Sequence, residues 1–217
     1  MVLGRSSKVW AALSENPLIS NRIRHAISHK ELASFDFTPN DRVWVLSYSR
    51  KPHENEAIFQ RLKSAGVAEV VYVSSSSTIV AEKIQCYDYP KVKRAAEQSA
   101  LTLVQARVLT IGLMYSDPQE LPSGSNIATA YSDLAEFIAL PEWPEAEGRR
   151  KYLFQVVPRP FRSATERALF QVYAELIGLF QKNPCLLRPI DLILRMLGMR
   201  WYGYVFLSNK LWISTMS

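Results

Sequence analysis

Short apolar runs recur along the chain, and amphipathic stretches of helical period separate them. Residues 43–46 (Val-Trp-Val-Leu) and 70–73 (Val-Val-Tyr-Val) carry no polar alternation, and 108–111 (Val-Leu-Thr-Ile) carries a single threonine. Runs of this length without alternation belong to strands covered on both faces, as in parallel sheets. Between them, 54–63 sets Ile58, Phe59 and Leu62 at helical spacing, and Gly66 is placed to end that helix. Further helices are predicted over 7–15, 87–104, 128–140, 164–180 and 186–197. Ser6 or Ser7 is placed to cap the first, and Pro17 to stop it. Residues 2–3 read as the tail of a first strand, 21–27 as a weaker strand and 152–156 as another. The Pro-, Ser- and Gly-rich stretch 113–126 reads as a loop. Strands alternating with helices predict an α/β fold with a mainly parallel sheet and helices on both of its faces.

The chain has 217 residues, 48% of them hydrophobic, which is enough for one sizeable core. The net charge of +6 is spread along the sequence, not gathered into a stripe. That pattern argues against a nucleic-acid partner and suits an anionic small molecule or a membrane surface. Cys86 and Cys185 have neither metal nor redox-motif spacing and are expected to be reduced thiols. His25, His29 and His53 have no metal spacing either, so no metal site is expected. The first residues lack the apolar run of a signal peptide, and no stretch reaches the ~18 apolar residues of a spanning helix. A cytoplasmic location is expected.

The chemistry-bearing feature follows the 70–73 strand. Ser74, Ser75, Ser76, Ser77 and Thr78 come directly after it, where ligands bind in open α/β sheets. Tyr89 and Lys93 lie four apart and share one helix face. An ammonium there is expected to lower the phenol's pKa from about 10, so that the phenol exchanges a proton near neutral pH. Tyr87 and Lys91 form a second frame. The interval from Ser76 to Tyr89, with Glu97 four residues beyond Lys93 and Pro90 early in the helix, favours the first.

With these features in order, the sequence resembles the short-chain dehydrogenase/reductase superfamily, in the extended or atypical branch that holds NAD-dependent epimerase/dehydratase proteins. The resemblance is carried by the serine-ended strand, the Tyr89–Lys93 helix with Ala96 and Glu97, the strand end at Ile111-Gly112-Leu113-Met114-Tyr115, and the later Ala130-Tyr131-Ser132-Asp133-Leu134-Ala135. It spans residues 2 to about 180. It implies a Rossmann-like sheet over 1–115 as the dinucleotide-binding core, and a small substrate-binding and helical region over 116–217. It also implies a catalytic Ser76, Tyr89 and Lys93. Tyr89 would be the acid/base of hydride transfer, Lys93 would bind the nicotinamide ribose, and Ser76 would hold the reacting oxygen. The cofactor would meet Gly4, Arg5, Ser6, Ser7, Lys30, Ser47, Tyr48, Ser74, Lys93, Ile111, Gly112 and Met114. The implied substrate is a nucleotide-linked sugar or a similar polar molecule. Ser77 and Thr78 stand where dehydratases carry an extra acid, which favours reduction or epimerisation.

Three departures from the family pattern shape further expectations. Its glycine-rich loop survives only at Gly4, with Ser7 and Trp10 at the other two glycine positions. Trp10 predicts a first helix held farther from the sheet, or altered dinucleotide binding. The stretch before the serine strand is short, so a strand or helix of the first half is expected to be missing. No acidic residue stands at 28–30, and Lys30 and Arg5 lean the cofactor towards NADP over NAD. The alternative function is a non-catalytic binding or scaffold protein, with polysaccharide biosynthesis as its setting. The C-terminal aromatics, among them Trp201, Tyr204 and Trp212, suit core packing, a homodimer contact or a peripheral membrane contact.

Overall fold

The computed structural model describes residues 1–84, 86–144, 148–180, 186–196 and 203–216. Cys185, Arg200, Trp201 and Tyr202 lie outside the described residues.

The main sheet is parallel throughout, in the order β2-β1-β3-β4-β5-β8. Its strands are β1 (Val2–Leu3), β2 (Ala26–Ile27), β3 (Arg42–Val45), β4 (Glu69–Ser75), β5 (Ala106–Ile111) and β8 (Arg150–Leu153). A smaller sheet joins β6 (Leu113–Tyr115), β7 (Gly124–Ala130) and β9 (Gln155–Arg159) in the order β6-β7-β9. The helices are α1 (Lys8–Leu13), α2 (Pro17–Ser20), α3 (Pro52–Ser64), α4 (Thr78–Lys83), α5 (Asp88–Leu101), α6 (Tyr131–Ile138), α7 (Ala164–Phe180), α8 (Leu187–Met196) and α9 (Gly203–Met216).

Strand alternation divides the apolar residues between two cores. Leu3, Val43, Val45, Val70 and Tyr72 face one side, against Ile58, Phe59 and Leu62 of α3 and Ala96 and Ala100 of α5. Val2, Trp44, Val71, Val73 and Leu109 face the other, against Leu13, Ile19 and the Leu134–Ile138 face of α6. Both faces are therefore covered, as the uninterrupted strand runs require. Trp143 extends the second core: it is buried edge-on to Phe137 and donates through Nε1 to the Gly148 carbonyl. A third core packs α4, α7, α8 and α9 together around Val80, Tyr173, Ile177, Leu187 and Leu207.

The expected shortening falls between β2 and β3. Residues 28–41 form turns without a helix, and the chain crosses from the edge strand β2 to the far side of β1. Strand order reverses at β1, which creates the crevice that open α/β sheets use for ligands. The expected strand at 21–27 forms only over its last two residues.

The stretch predicted as a loop at 113–126 contains β6 and the start of β7, and the helix predicted from 128 begins only at Tyr131. Gly112 explains the first difference. A Cβ there would lie 2.5 Å from the Ile127 carbonyl oxygen. Only glycine lets the chain leave β5 in close contact with β7.

Buried charge ties α5 to β8. Glu97 is fully buried, accepts from Arg150 at 3.1 Å and lies 3.6 Å from Arg94.

Candidate active site

The carboxyl ends of β1, β3, β4 and β5 open onto a cavity of about 820 Å³. Each end contributes the turn that follows it. After β1 come Gly4, Ser6 and Ser7; after β2, Ser28, His29 and Lys30; after β3, Leu46, Ser47 and Tyr48. The end of β4 adds Ser74 to Ser77, and the end of β5 adds Ile111, Gly112 and Met114. Tyr89 and Lys93 project into it from α5. Of the residues expected at the site, only Arg5 does not line the cavity.

Gly4 has φ +123°, and a Cβ there would lie 2.8 Å from Ser47 Oγ. The first turn therefore needs glycine both for its conformation and for its approach to β3. Ser7 caps α1, its Oγ accepting the Trp10 N–H at 3.0 Å. Trp10 is half-buried against the second core, so the helix accommodates the indole by packing it beside α6.

Lys93 is 5% exposed. Its ammonium donates to the Val73 carbonyl at 3.0 Å and lies 4.8 Å over the Tyr48 ring and 5.0 Å over the Tyr72 ring. Burial lowers its pKa from 10.5 to about 8, opposed by the Glu97 charge. Tyr89 stands between two other tyrosines. Tyr48 meets its ring edge-on at 5.4 Å, and Tyr204 of α9 lies tilted against it at 5.5 Å.

Burial raises the Tyr89 pKa, a hydrogen bond with Ser75 pulls it back, and Tyr48 raises it further. This reverses the expectation that a neighbouring ammonium would depress the phenol. The ammonium is engaged with the Val73 carbonyl and two other rings, and desolvation dominates at the phenol.

The serines divide their work. Ser75 stands beside the Tyr89 phenol, and its Oγ lies 2.9 Å from Ser77 Oγ. Ser76 is buried, lines the cavity, and its hydroxyl is engaged by no protein group among the described residues. Its carbonyl accepts the Trp212 Nε1–H at 2.8 Å, which fastens α9 to the end of β4. The hydroxyls of Ser74 and of Ser208 on α9 are buried without a partner.

Sequence reasoning missed the wall formed by Tyr204, Val205, Ser208 and Asn209, and no local motif marks it. It also missed Glu31, one residue beyond the segment searched for an acid. Glu31 accepts from the Ser28 N–H and hydroxyl at 2.7 Å and pairs with Arg5 at 2.9 Å. Arg5 is thus held by a carboxylate and turned away from the cavity.

The residues fit a dinucleotide. Ser74 offers a buried hydroxyl without a partner among the described residues, beside the turn at Gly4.

No family model matches the chain, and neither does any curated protein. Solved structures do. A short-chain dehydrogenase/reductase superfamily protein from Agrobacterium tumefaciens with bound NAD superposes with TM-score 0.54 at 14% identity, covering 82% of each chain. A nucleoside-diphosphate-sugar epimerase from Staphylococcus aureus gives 0.52 at 17%, over 81% of this chain and 76% of that one. UDP-N-acetylglucosamine 4-epimerase from Bacillus cereus gives 0.50 at 15%, over 80% and 83%. At these identities the likeness is one of fold: the chain shares the Rossmann-like fold of these structures.

Proposed function

We propose that the protein is a nicotinamide-dinucleotide-dependent oxidoreductase or epimerase acting on a polar carbonyl or hydroxyl substrate, a nucleotide-linked sugar by preference. The observation that carries this reading is the meeting of Tyr89, Lys93, Ser75 and Ser76 on one cavity wall at the strand ends. The dinucleotide, when bound, supplies or takes the hydride. The chain's own residues manage the oxygen and its proton. Tyr89, held protonated at neutral pH by burial, donates its phenolic proton to a substrate carbonyl oxygen as the hydride reaches the carbon. In the reverse direction its phenolate form takes the hydroxyl proton as the hydride leaves the carbon. Ser75 holds the phenol. Ser76, whose hydroxyl is uncommitted, donates to the substrate oxygen and steadies its developing charge. Lys93 places a positive charge beneath this arrangement.

Nucleotide-sugar chemistry finds support in the names of two fold relatives and in the buried hydroxyls of Ser74 and Ser208, which call for polar ligand groups. A preference for NADP rests on Lys30 alone once Arg5 is bound to Glu31.

Titration with NADH and NADPH, followed by nicotinamide fluorescence, is expected to saturate with one of them. Tyr89→Phe should retain that binding and lose turnover by at least ~10²-fold. Undiminished turnover in Tyr89→Phe would remove the catalytic assignment. Absence of binding by either nucleotide would remove the cofactor.

A further inference from the structure

A second cavity, of about 380 Å³, lies beside the first, between α7, α9 and the segment leading into β7. Its size falls within the range of small-ligand pockets, ~300–1,000 Å³. Val205 and Asn209 belong to both cavities and form the partition between them.

The chemistry of the two differs. The body of the second cavity is apolar, formed by Phe170, Val205, Phe206 and Ile213. Its polar side chains are largely consumed within the protein. Ser123 Oγ donates to Glu166 at 2.9 Å and accepts from Arg159. The Asn126 amide donates to the Pro122 and Gly124 carbonyls. The Asn209 carbonyl oxygen accepts the Ile127 N–H at 3.0 Å, and Ser214 donates to the Leu211 carbonyl. A ligand with many hydroxyls would find few partners here, and its desolvated polar groups would cost binding energy. The charged group on the wall is Lys210, which is exposed and forms no ion pair among the described residues.

We propose that this cavity binds a compact apolar molecule or group carrying one anion, with the apolar body among Phe170, Phe206 and Ile213 and the anion on Lys210. Phe170 and Phe206 meet at 68° with centroids 5.7 Å apart and give the apolar body an aromatic wall. The first cavity, with its partnerless serine hydroxyls, selects the opposite chemistry. The site stands independently of the reaction assigned to the first cavity.

The test uses the full chain, ¹⁵N-labelled, titrated with 2-naphthoate and with its neutral analogue 2-naphthamide. Naphthoate is expected to bind saturably and to shift the amide signals of Phe170, Phe206 and Ile213. Lys210→Met should weaken naphthoate about fivefold, the upper end for a solvent-exposed ion pair, and leave naphthamide unchanged. Ser214→Trp, an exposed position on the rim, should weaken both ligands. Thermal unfolding of each variant checks that the fold is intact. Three results would each overturn the site: no saturable binding of naphthoate, equal naphthoate affinity in Lys210→Met, or shifts confined to the residues around Gly4 and Tyr48.

Discussion

Lys93 makes stability depend on pH in a direction that can be worked out in advance. The ammonium is almost fully buried, and its pKa falls from 10.5 to about 8. A lysine whose folded pKa lies below its unfolded value binds fewer protons in the folded state. The cost of burying its charge is therefore carried in full below about pH 8. It is relieved as the pH rises from about 8 to about 10.5. At ~1.4 kcal/mol for each tenfold change in proton affinity, the full cost is ~3 kcal/mol. About 2.5 kcal/mol of it is recovered between about pH 7 and about pH 10. Lys93→Met keeps the length of the stem and removes the titrating group. It also leaves the Val73 carbonyl without its donor, at ~1 kcal/mol, but that loss does not depend on pH. Other groups titrate in both proteins and cancel in the difference. Urea unfolding followed by tryptophan fluorescence, at a series of pH values, should show the wild type gaining on the variant by ~2.5 kcal/mol across that interval. A difference constant to within ~0.5 kcal/mol would refute the argument, because it would mean that the ammonium is solvated in the folded state.

Gly112→Ala should cost ~2–3 kcal/mol in the same unfolding assay, because the new methyl meets the Ile127 and Ala128 backbone at 2.5 to 2.7 Å and neither strand can yield. Glu97→Gln keeps the shape and removes the buried charge shared by Arg94 and Arg150. It should destabilise by ~1–3 kcal/mol and move the Lys93 titration further down, seen as an onset of the stability rise below about pH 8. Lys30→Ala should lower affinity for NADPH by ~3–10-fold and leave NADH unchanged, read by nicotinamide fluorescence; equal losses for both would remove Lys30 from the 2′-phosphate.

What the sequence reveals here follows from how local each signal is. The parallel sheet was legible because 43–46, 70–73 and 108–111 are continuous apolar runs, and the structure buries both faces of each. The turns after those strands were legible for the same reason, and they supply most of the first cavity. Residues 113–130 were misread because their strands pair through Gly112, whose role depends on a neighbour 15 residues away, and because the strong helical period of 131–138 pulled the predicted helix backwards. Four consecutive serines have no internal pattern. Sequence alone offered no means of separating Ser75, whose hydroxyl meets Ser77, from Ser76, whose carbonyl holds Trp212.

The remaining wall was out of reach on physical grounds. α9 closes the site more than a hundred residues after Tyr89, fastened by Trp212 to the Ser76 carbonyl and by Asn209 to the Ile127 N–H. Both bonds end on backbone atoms, which every residue carries, so neither leaves a complementary residue type to find in the sequence. Tyr204 and Ser208 stand four apart, as on any helix, with Asn209 one residue further, and the three have no chemistry in common. Yet this helix sets what the strand ends can accept. It lays one tyrosine against Tyr89, presents a buried hydroxyl to the first cavity, and turns Lys210 to the second. On the proposed function, the strand ends fix where the proton is exchanged. On the same reading α9, which lines the cavity through Tyr204, Ser208 and Asn209, selects the molecule brought to it, so substitutions along α9 should alter substrate choice before they alter the fold of the sheet.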